Sequence, residues 1–287
     1  GADGNPSPGW PVDGIAVCTA NGEQLLMDVV ADGGAPTGGG SGGVFLVWED
    51  YRNGALADIY GHHVLADGTF APGWPVDGLG IAIFMEEQRD PDLLPDGSGG
   101  VFAVWTDART KAFSQRDIYA QHLNGDGTPA AGWAANGMRV TNASTPDIGP
   151  ELAADPEGGL YVTWTRGLGN QDIGAQHLGA TGVPVATWPD TGIVLCGADL
   201  DQSGALIVSA PGGTAMAVWK DRRNYTALDT ETGFYAVRFG PDTSRAIWGV
   251  MSLRSASTSP FCGSTKRSTR AASSGPMPSS KTAASSK

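Results

Sequence analysis

"DIYAQHLNGDGTPAAGW" spans Asp117 to Trp133, and two readings compete for it. Its Asn-Gly-Asp-Gly-Thr core resembles part of a calcium loop, yet it also has the chemistry of a tight turn between two strands. Aligning the chain with itself decides between them. The stretch aligns without gaps to "DIYGHHVLADGTFAPGW" (Asp58 to Trp74) and to "DIGAQHLGATGVPVATW" (Asp172 to Trp188). A fainter copy, one residue shorter, is "GFYAVRFGPDTSRAIW" at Gly233 to Trp248, and the first ten residues match Leu65 to Trp74. Such self-similarity is weighed first, because it changes what is expected of every residue inside it.

A second anchor precedes each full copy: "GGVFLVWED", "GGVFAVWTD", "GGLYVTWTR" and "GGTAMAVWKD", with Trp48, Trp105, Trp164 and Trp219 spaced by 57, 59 and 55 residues. Trp10, Trp74, Trp133 and Trp188 recur in the same way, so these eight tryptophans are expected to be structural anchors of the repeat. Within a period, turn chemistry separates four strand-like segments. In the second unit they are a weak one around "DPDLLPDG", then "GVFAVWTD", "DIYAQHL" and "GMRVTN". The fourth opens at a Gly four residues past the Trp, at Gly14, Gly78, Gly137 and Gly192. The second strand, as in "VFLVW", is apolar on both faces, which suits a strand covered on both sides.

A four-stranded unit of this kind cannot bury both faces alone, and radial stacking of such units gives a β-propeller. The expected fold is therefore all-β, a propeller of four-stranded antiparallel blades. Units are placed at about 20–83, 84–142, 143–197 and 198–254, with residues 1–18 ending a preceding unit. That gives about four blades, one orphan N-terminal strand at Trp10 to Cys18, and an incomplete ring. The 43 Gly, 19 Pro and 17% charged residues fit many short strands better than helices.

The repeat stops inside "IWGVMSLRS", and residues 255–287 are Ser-rich with five basic residues and no acidic one. A disordered tail is one reading. Translation out of frame after about Arg254 is the other, and it is preferred because the break falls within a strand. Residues 1–254 carry 13 basic against 30 acidic residues, net −17, within a total of −12. An acidic body of this kind repels nucleic acid and anionic membranes, so neither is expected as a partner. No run of eighteen apolar residues is present, so no membrane insertion is expected. The chain starts at Gly1 without a basic-then-apolar leader, so any signal peptide is expected to have been removed or to lie outside it.

The combination "VWxDxR", "DIYAQxL", "DGT" and "GW" resembles the repeat units of secreted bacterial β-propeller proteins. "VWTDARTKAFSQRDIYAQHLNGDGT" is also similar to the WD-type repeats of the TolB propeller. The resemblance runs from Gly1 to about Arg254 and implies a propeller fold and an extracellular or periplasmic location; it implies no activity, since propellers host unrelated functions. Sialidase-type propellers place an Asp about five positions before a Trp, whereas Asp67 precedes Trp74 by seven and no Arg-Ile-Pro motif is present.

The repeat bears on each candidate chemistry. With Gly127 at the sixth position of a calcium loop, His122, Asn124, Asp126 and Trp133 fall at the first, third, fifth and twelfth, so two of the four side-chain oxygens are missing. The copies "LADG" and "GATG" supply fewer still while keeping the turn length, as a hairpin connection requires. His63, His122 and His177 each follow their unit's Asp by five residues. On separate blades they lie about 10 Å apart, too far to share one metal. No metal and no cofactor are expected. Cys18 and Cys196 each follow a Trp by eight residues and are expected to be small buried residues on separate blades.

The pairs Asp50/Arg52, Asp107/Arg109 and Asp221/Arg223 read either as ion pairs bracing the second and third strands or as ligand-binding residues on one rim; the third unit has Arg166 and Leu168 instead. No nucleophile elbow, phosphate-binding loop or paired-cysteine cluster is present, and no catalytic residue is assigned. Thirty acidic residues offer too many pairs for glycosidase partners to be picked from sequence. The expectation is thus a non-enzymatic binding or scaffolding module with a protein or a glycan as partner. The alternative is a carbohydrate-binding or glycoside-hydrolase-type propeller with a site on one face. The two are separated by asymmetry, meaning residues that differ between blades and converge near the axis. The insertion "GGAPTGGGSGG" (Gly33 to Gly43) reads as a flexible loop.

Overall fold

The structure is a computed structural model that describes residues 5–7, 9–33, 41–110, 115–224 and 232–242. Most of the Gly33–Gly43 insertion, the end of the fourth repeat copy and the whole basic tail lie outside the described residues.

Every element among the described residues is a strand. Blade 1 holds β1 (Gln24–Ala31), β2 (Val44–Asp50), β3 (Asp58–Val64) and β4 (Leu79–Ala82) in that order. Blade 2 repeats it with β5 (Gln88–Pro95), β6 (Val101–Asp107), β7 (Asp117–Leu123) and β8 (Met138–Arg139). Blade 3 holds β9 (Asp147–Ala154), β10 (Leu160–Arg166), β11 (Asp172–Leu178) and β12 (Ile193–Cys196). Blade 4 has β13 (Gln202–Ala210), β14 (Thr214–Asp221) and β15 (Gly233–Phe239). All pairings are antiparallel. The first strands pack on one another in sequence, β1 on β5, β5 on β9 and β9 on β13, so they line the axis of an all-β propeller. No strand forms across Trp10 to Cys18, where the chain keeps the turn and the Trp of the repeat without a sheet to join.

Burial explains the apolar character of the middle strands. All seven residues of β3 and of β6 are buried; β6 lies between blades 1 and 3, and β3 packs toward blade 2. Three core clusters form, and each holds residues of two consecutive blades. Phe45 and Ile59 of blade 1 meet Leu93 and Ala103 of blade 2; Phe102 and Ile118 of blade 2 meet Leu152 and Val162 of blade 3. The core is therefore the set of blade interfaces.

The quoted turn is the clasp between them. Trp74 donates its indole N–H to the carbonyl of Gly125 at 2.9 Å, Trp133 to Ala180 at 2.9 Å, and Trp188 to Pro241 at 2.9 Å. Trp10 does the same to Ala66 at 2.8 Å. Each Trp closes the third-to-fourth connection of one unit and reaches into the Asp-Gly turn of the next. The turn's own polar groups are used locally, since Asp126 accepts from the backbone N–H and hydroxyl of Thr128 at 3.0 and 2.6 Å.

Candidate functional site

The Asp-x-Arg residues are committed inside their own blades. Asp50, with no exposed surface, accepts the indole N–H of Trp48 at 2.7 Å and the guanidinium of Arg52 at 2.6 Å. Asp107 takes Trp105 and Arg109 at 2.7 and 2.5 Å, and Asp221 takes Trp219 and Arg223 at 3.0 and 2.5 Å. The guanidinium groups of Arg52, Arg109 and Arg223 lie 3.8, 4.1 and 3.9 Å from the ring centres of Tyr60, Tyr119 and Tyr235. Burial pushes the Asp50 carboxyl up, but the bonds from Arg52 and Trp48 outweigh it and hold the group below the usual carboxylate range. These six residues, the candidates for a ligand rim, are placed as braces between second and third strands, with their carboxylates turned away from solvent. In blade 3 the charges exchange places: Arg166 stands where the others have Asp, and it donates to Asp147 at 3.0 Å across the β9–β10 pair. In the other blades that partner position is Gln24, Gln88 or Gln202.

The histidines are also structural. His63, His122 and His177 pair with Asp32, Asp96 and Asp155 at 3.1, 3.0 and 2.9 Å, and stack on Phe45, Phe102 and Tyr161. Among the described residues no group of three or more His, Cys, Asp or Glu is placed to hold a metal ion. Cys18 and Cys196 are unlinked thiols that accept from Arg52 and Arg223 at 3.3 and 2.9 Å.

The residues that do converge lie on the innermost strands. Asp28 of β1, Asp92 of β5 and Glu151 of β9 pair in register with Val47, Val104 and Thr163, each the residue before an anchor Trp. They are therefore one repeat position on three consecutive blades, and blade 4 has Leu206 there, opposite Val218. All three carboxyl groups line a cleft of about 520 Å³ at the axis, together with Asp90, Thr165 and Leu206.

A local break in each strand pairing turns these side chains toward the cleft. The ladder slips between Leu26 and Asp28, between Arg89 and Asp92, between Thr163 and Thr165, and between Ser203 and Leu206. Bulges of this kind bend a strand and re-aim its side chains. Two residues ahead of the axial position, Asp90, Gly149 and Gly204 adopt φ of 53°, 58° and 62°, and Asp90 does so with a side chain. Their N–H groups are taken by the preceding blade, through Glu49 at 3.0 Å, Thr106 at 3.1 Å and Thr165 at 3.3 Å.

The three carboxyl groups are electrostatically unequal. Asp28 accepts the N–H of Leu93 at 3.0 Å and Asp92 that of Leu152 at 3.2 Å, so each also ties its blade to the next. Burial, with the charges of Glu151 and Asp28 behind it, pushes Asp92 up to about 8. This favours the protonated form of Asp92, which shares a hydrogen bond with Asp28. Burial and the Asp28 charge also push Glu151 up, and its carboxyl has no hydrogen-bond partner among the described residues.

No protein-family profile matches the chain, and no curated protein matches it. Solved structures of similar course include a thermostable family-43 glycoside hydrolase, at 11% identity and a TM-score of 0.44 over 79% of this chain and 76% of that one. An endo-1,4-beta-xylanase from Bacteroides thetaiotaomicron matches at 10% identity and 0.40 over 73% and 70%. An alpha-L-arabinanase from Penicillium chrysogenum matches at 13% identity and 0.46 over 80% and 64%. These likenesses concern architecture. They do not support the expectation of a non-enzymatic binding or scaffolding module, and that expectation is not retained; its alternative rests on the axial carboxyl groups. The axial carboxyl groups converge as the alternative requires, at one repeat position that carries an acid on three blades and Leu206 on the fourth.

Sequence reasoning missed them because the inner strand carries little apolar pattern. One signal was present. Asp92, Glu151 and Leu206 each precede their anchor Trp by 13 residues, while Asp28 precedes Trp48 by 20, the Gly-rich insertion making the difference.

Proposed function

We propose that this chain is a carbohydrate-active propeller of the glycoside-hydrolase type, with its site in the axial cleft. The observation that carries the reading is the placement of Asp28, Asp92 and Glu151 at one repeat position on three blades around one cleft, where burial raises the proton affinity of Asp92 and Glu151. Glycosidic cleavage uses one carboxylic acid to protonate the leaving oxygen and a second carboxylate as base or nucleophile, and unequal environments assign the roles. Glu151, half-buried and unpaired among the described residues, is the acid. Asp28, fixed by the Leu93 N–H, is the base or nucleophile. Asp92 is a positioning residue that donates a hydrogen bond from its protonated carboxyl to Asp28, and burial with the Asp28 charge nearby favours the protonated form of Glu151.

The protein is proposed to act outside the cytoplasm, extracellularly or in the periplasm, as one of the secreted bacterial propeller proteins whose repeats it resembles. No helix among the described residues is long and apolar enough to cross a membrane.

The reading is tested with the full chain on a panel of aryl glycosides and plant polysaccharides, with released reducing ends as the readout. Asp28→Asn and Glu151→Gln are expected to lower turnover by about 10²- to 10⁴-fold while circular dichroism stays unchanged. Asp92→Asn is expected to shift the pH profile of turnover. Absence of hydrolysis across the panel, or hydrolysis that survives both substitutions, sinks the proposal.

A further inference from the structure

Asp90 is, among the described residues, the one non-Gly residue inside a strand with a positive φ, at 53°. Its counterparts two residues ahead of the axial position are Gly149 and Gly204, at 58° and 62°. Glycine enters this region without steric cost, whereas a side chain there is uncommon and marks a place to look for function. The backbone of the bulge therefore asks only for glycine, and blade 2 carries a carboxyl there. That carboxyl lines the axial cleft beside Asp92.

A structural use of the carboxyl does not account for it. Its one side-chain hydrogen bond among the described residues comes from Thr106, the residue after the anchor Trp105, whose hydroxyl donates to Oδ2 at 3.2 Å. The same Thr106 oxygen accepts the N–H of Gly149 at 3.1 Å, so the hydroxyl ties Asp90 to the strand that carries Glu151. Blade 3 makes the corresponding latch, Thr165 accepting the N–H of Gly204 at 3.3 Å, with Gly149 in place of the acid. The latch thus works without a carboxyl beside it. What Thr106 does for Asp90 is fix its orientation, and it takes up one of about four acceptor sites of the group. Asp28 and Asp92 are tied to the N–H groups of Leu93 and Leu152 and to each other. Beside the proposed acid Glu151, Asp90 is the cleft carboxyl with acceptors left over.

We propose that Asp90 is a substrate-binding residue of the axial cleft, its carboxyl accepting hydrogen bonds from two adjacent hydroxyls of an uncharged sugar ring. The inference rests on the reading of the cleft as a glycan site. A carboxyl offers two oxygens side by side, so it can take two neighbouring O–H donors at once. Charge selects the class of sugar. Asp28, Asp90, Asp92 and Glu151 line the cleft, and no Lys, Arg or His is among its described lining residues. A uronate or a sulfated sugar would bring negative charge to a site with no cation to receive it, which is costly. A neutral ring brings hydroxyl donors and C–H faces, and for the latter Ile148 and Leu206 supply apolar surface.

The test is calorimetric titration of the full chain carrying Glu151→Gln, so that binding is read without cleavage. The probes are cellotetraose, xylotetraose and mannotetraose, with tetragalacturonic acid as the anionic arm. At least one neutral tetrasaccharide is expected to bind, and the uronate is not. Adding Asp90→Gly is expected to raise the dissociation constant by about tenfold or more, while the melting temperature stays level or rises because the strained position is relieved. Asp90→Asn, which keeps one acceptor oxygen and tolerates the same φ, is expected to fall between the two. Undiminished affinity in the Asp90→Gly chain, equal binding of the uronate, or a fall in melting temperature that accompanies the loss of binding overturns the inference. So does a failure of all three neutral sugars to bind. A parent chain that binds as expected but cleaves no glycoside sinks the hydrolase reading alone.

Discussion

Arg166 donates to Asp147 at 3.0 Å in the place where the other three blades pair a Gln with an Asp. Burial pushes Asp147 up, and Arg166 opposes that shift. Removing one member of a buried pair leaves the other charge uncompensated, at about 3–5 kcal/mol. Arg166→Ala is therefore expected to lower stability by roughly 3 kcal/mol in denaturant unfolding. The triple change Asp147→Gln, Arg166→Asp, Leu168→Arg installs the brace of the other blades, and it is expected to recover most of the loss.

The Trp clasp separates hydrogen bonding from packing. Trp133→Phe keeps an aromatic ring but removes the donor to Ala180, at an expected cost near 1 kcal/mol plus that of the smaller ring. Trp133→Ala also empties a buried site, at about 3–5 kcal/mol. Equal losses for the two variants contradict the clasp.

Gly137 opens the fourth strand of blade 2 at φ 82°, and an added Cβ would lie 2.4 Å from the Trp105 ring. Backbone strain and a clash with a fully buried indole act together. Gly137→Ala is expected to destabilise by more than about 2 kcal/mol, measured by chemical denaturation, whereas Ala at Gly54, φ 148° with nothing within 4 Å, costs less.

The axial carboxyls set a pH dependence of stability. Asp92 rises from an ordinary value of 3.8 to about 8 in the fold. Between those limits the folded state binds more protons than the unfolded chain, so stability falls as pH rises from about 4 to 8. Asp92→Asn is expected to flatten that slope and to raise the melting temperature most near pH 8. Asp32 runs oppositely. Burial pushes it up, but hydrogen bonds from Ser41 and His63 outweigh this and depress it. Its contribution is lost as pH falls below about 4. A melting curve against pH for both proteins checks the sign.

The self-alignment of the chain carried the architecture because a propeller repeats its packing with its sequence. Trp48, the Asp58 strand and the turn after it recur since every blade must offer the same surface to its neighbour. The quoted stretch shows the limit of that reading. Its copies reveal a turn, and "GDG" next to Thr128 shows how the turn is held. Nothing in the sequence states that Gly125 receives the indole of Trp74, because the two residues belong to different units. The braces at Asp50, Asp107 and Asp221 were legible as pairs with the Arg two residues on; their burial against Trp and Tyr was not.

The axial site marks the same boundary. Sequence determined that the chain is built of four repeated units with fixed anchors, since hydrophobic and turn patterns are local and register along the chain. Only the tertiary structure decided that Asp28, Asp92 and Glu151 share one cleft. Their strands are bulged and half-exposed, so no periodicity marks them, and it is the radial packing of β1, β5 and β9 that brings three distant carboxyls into one another's field.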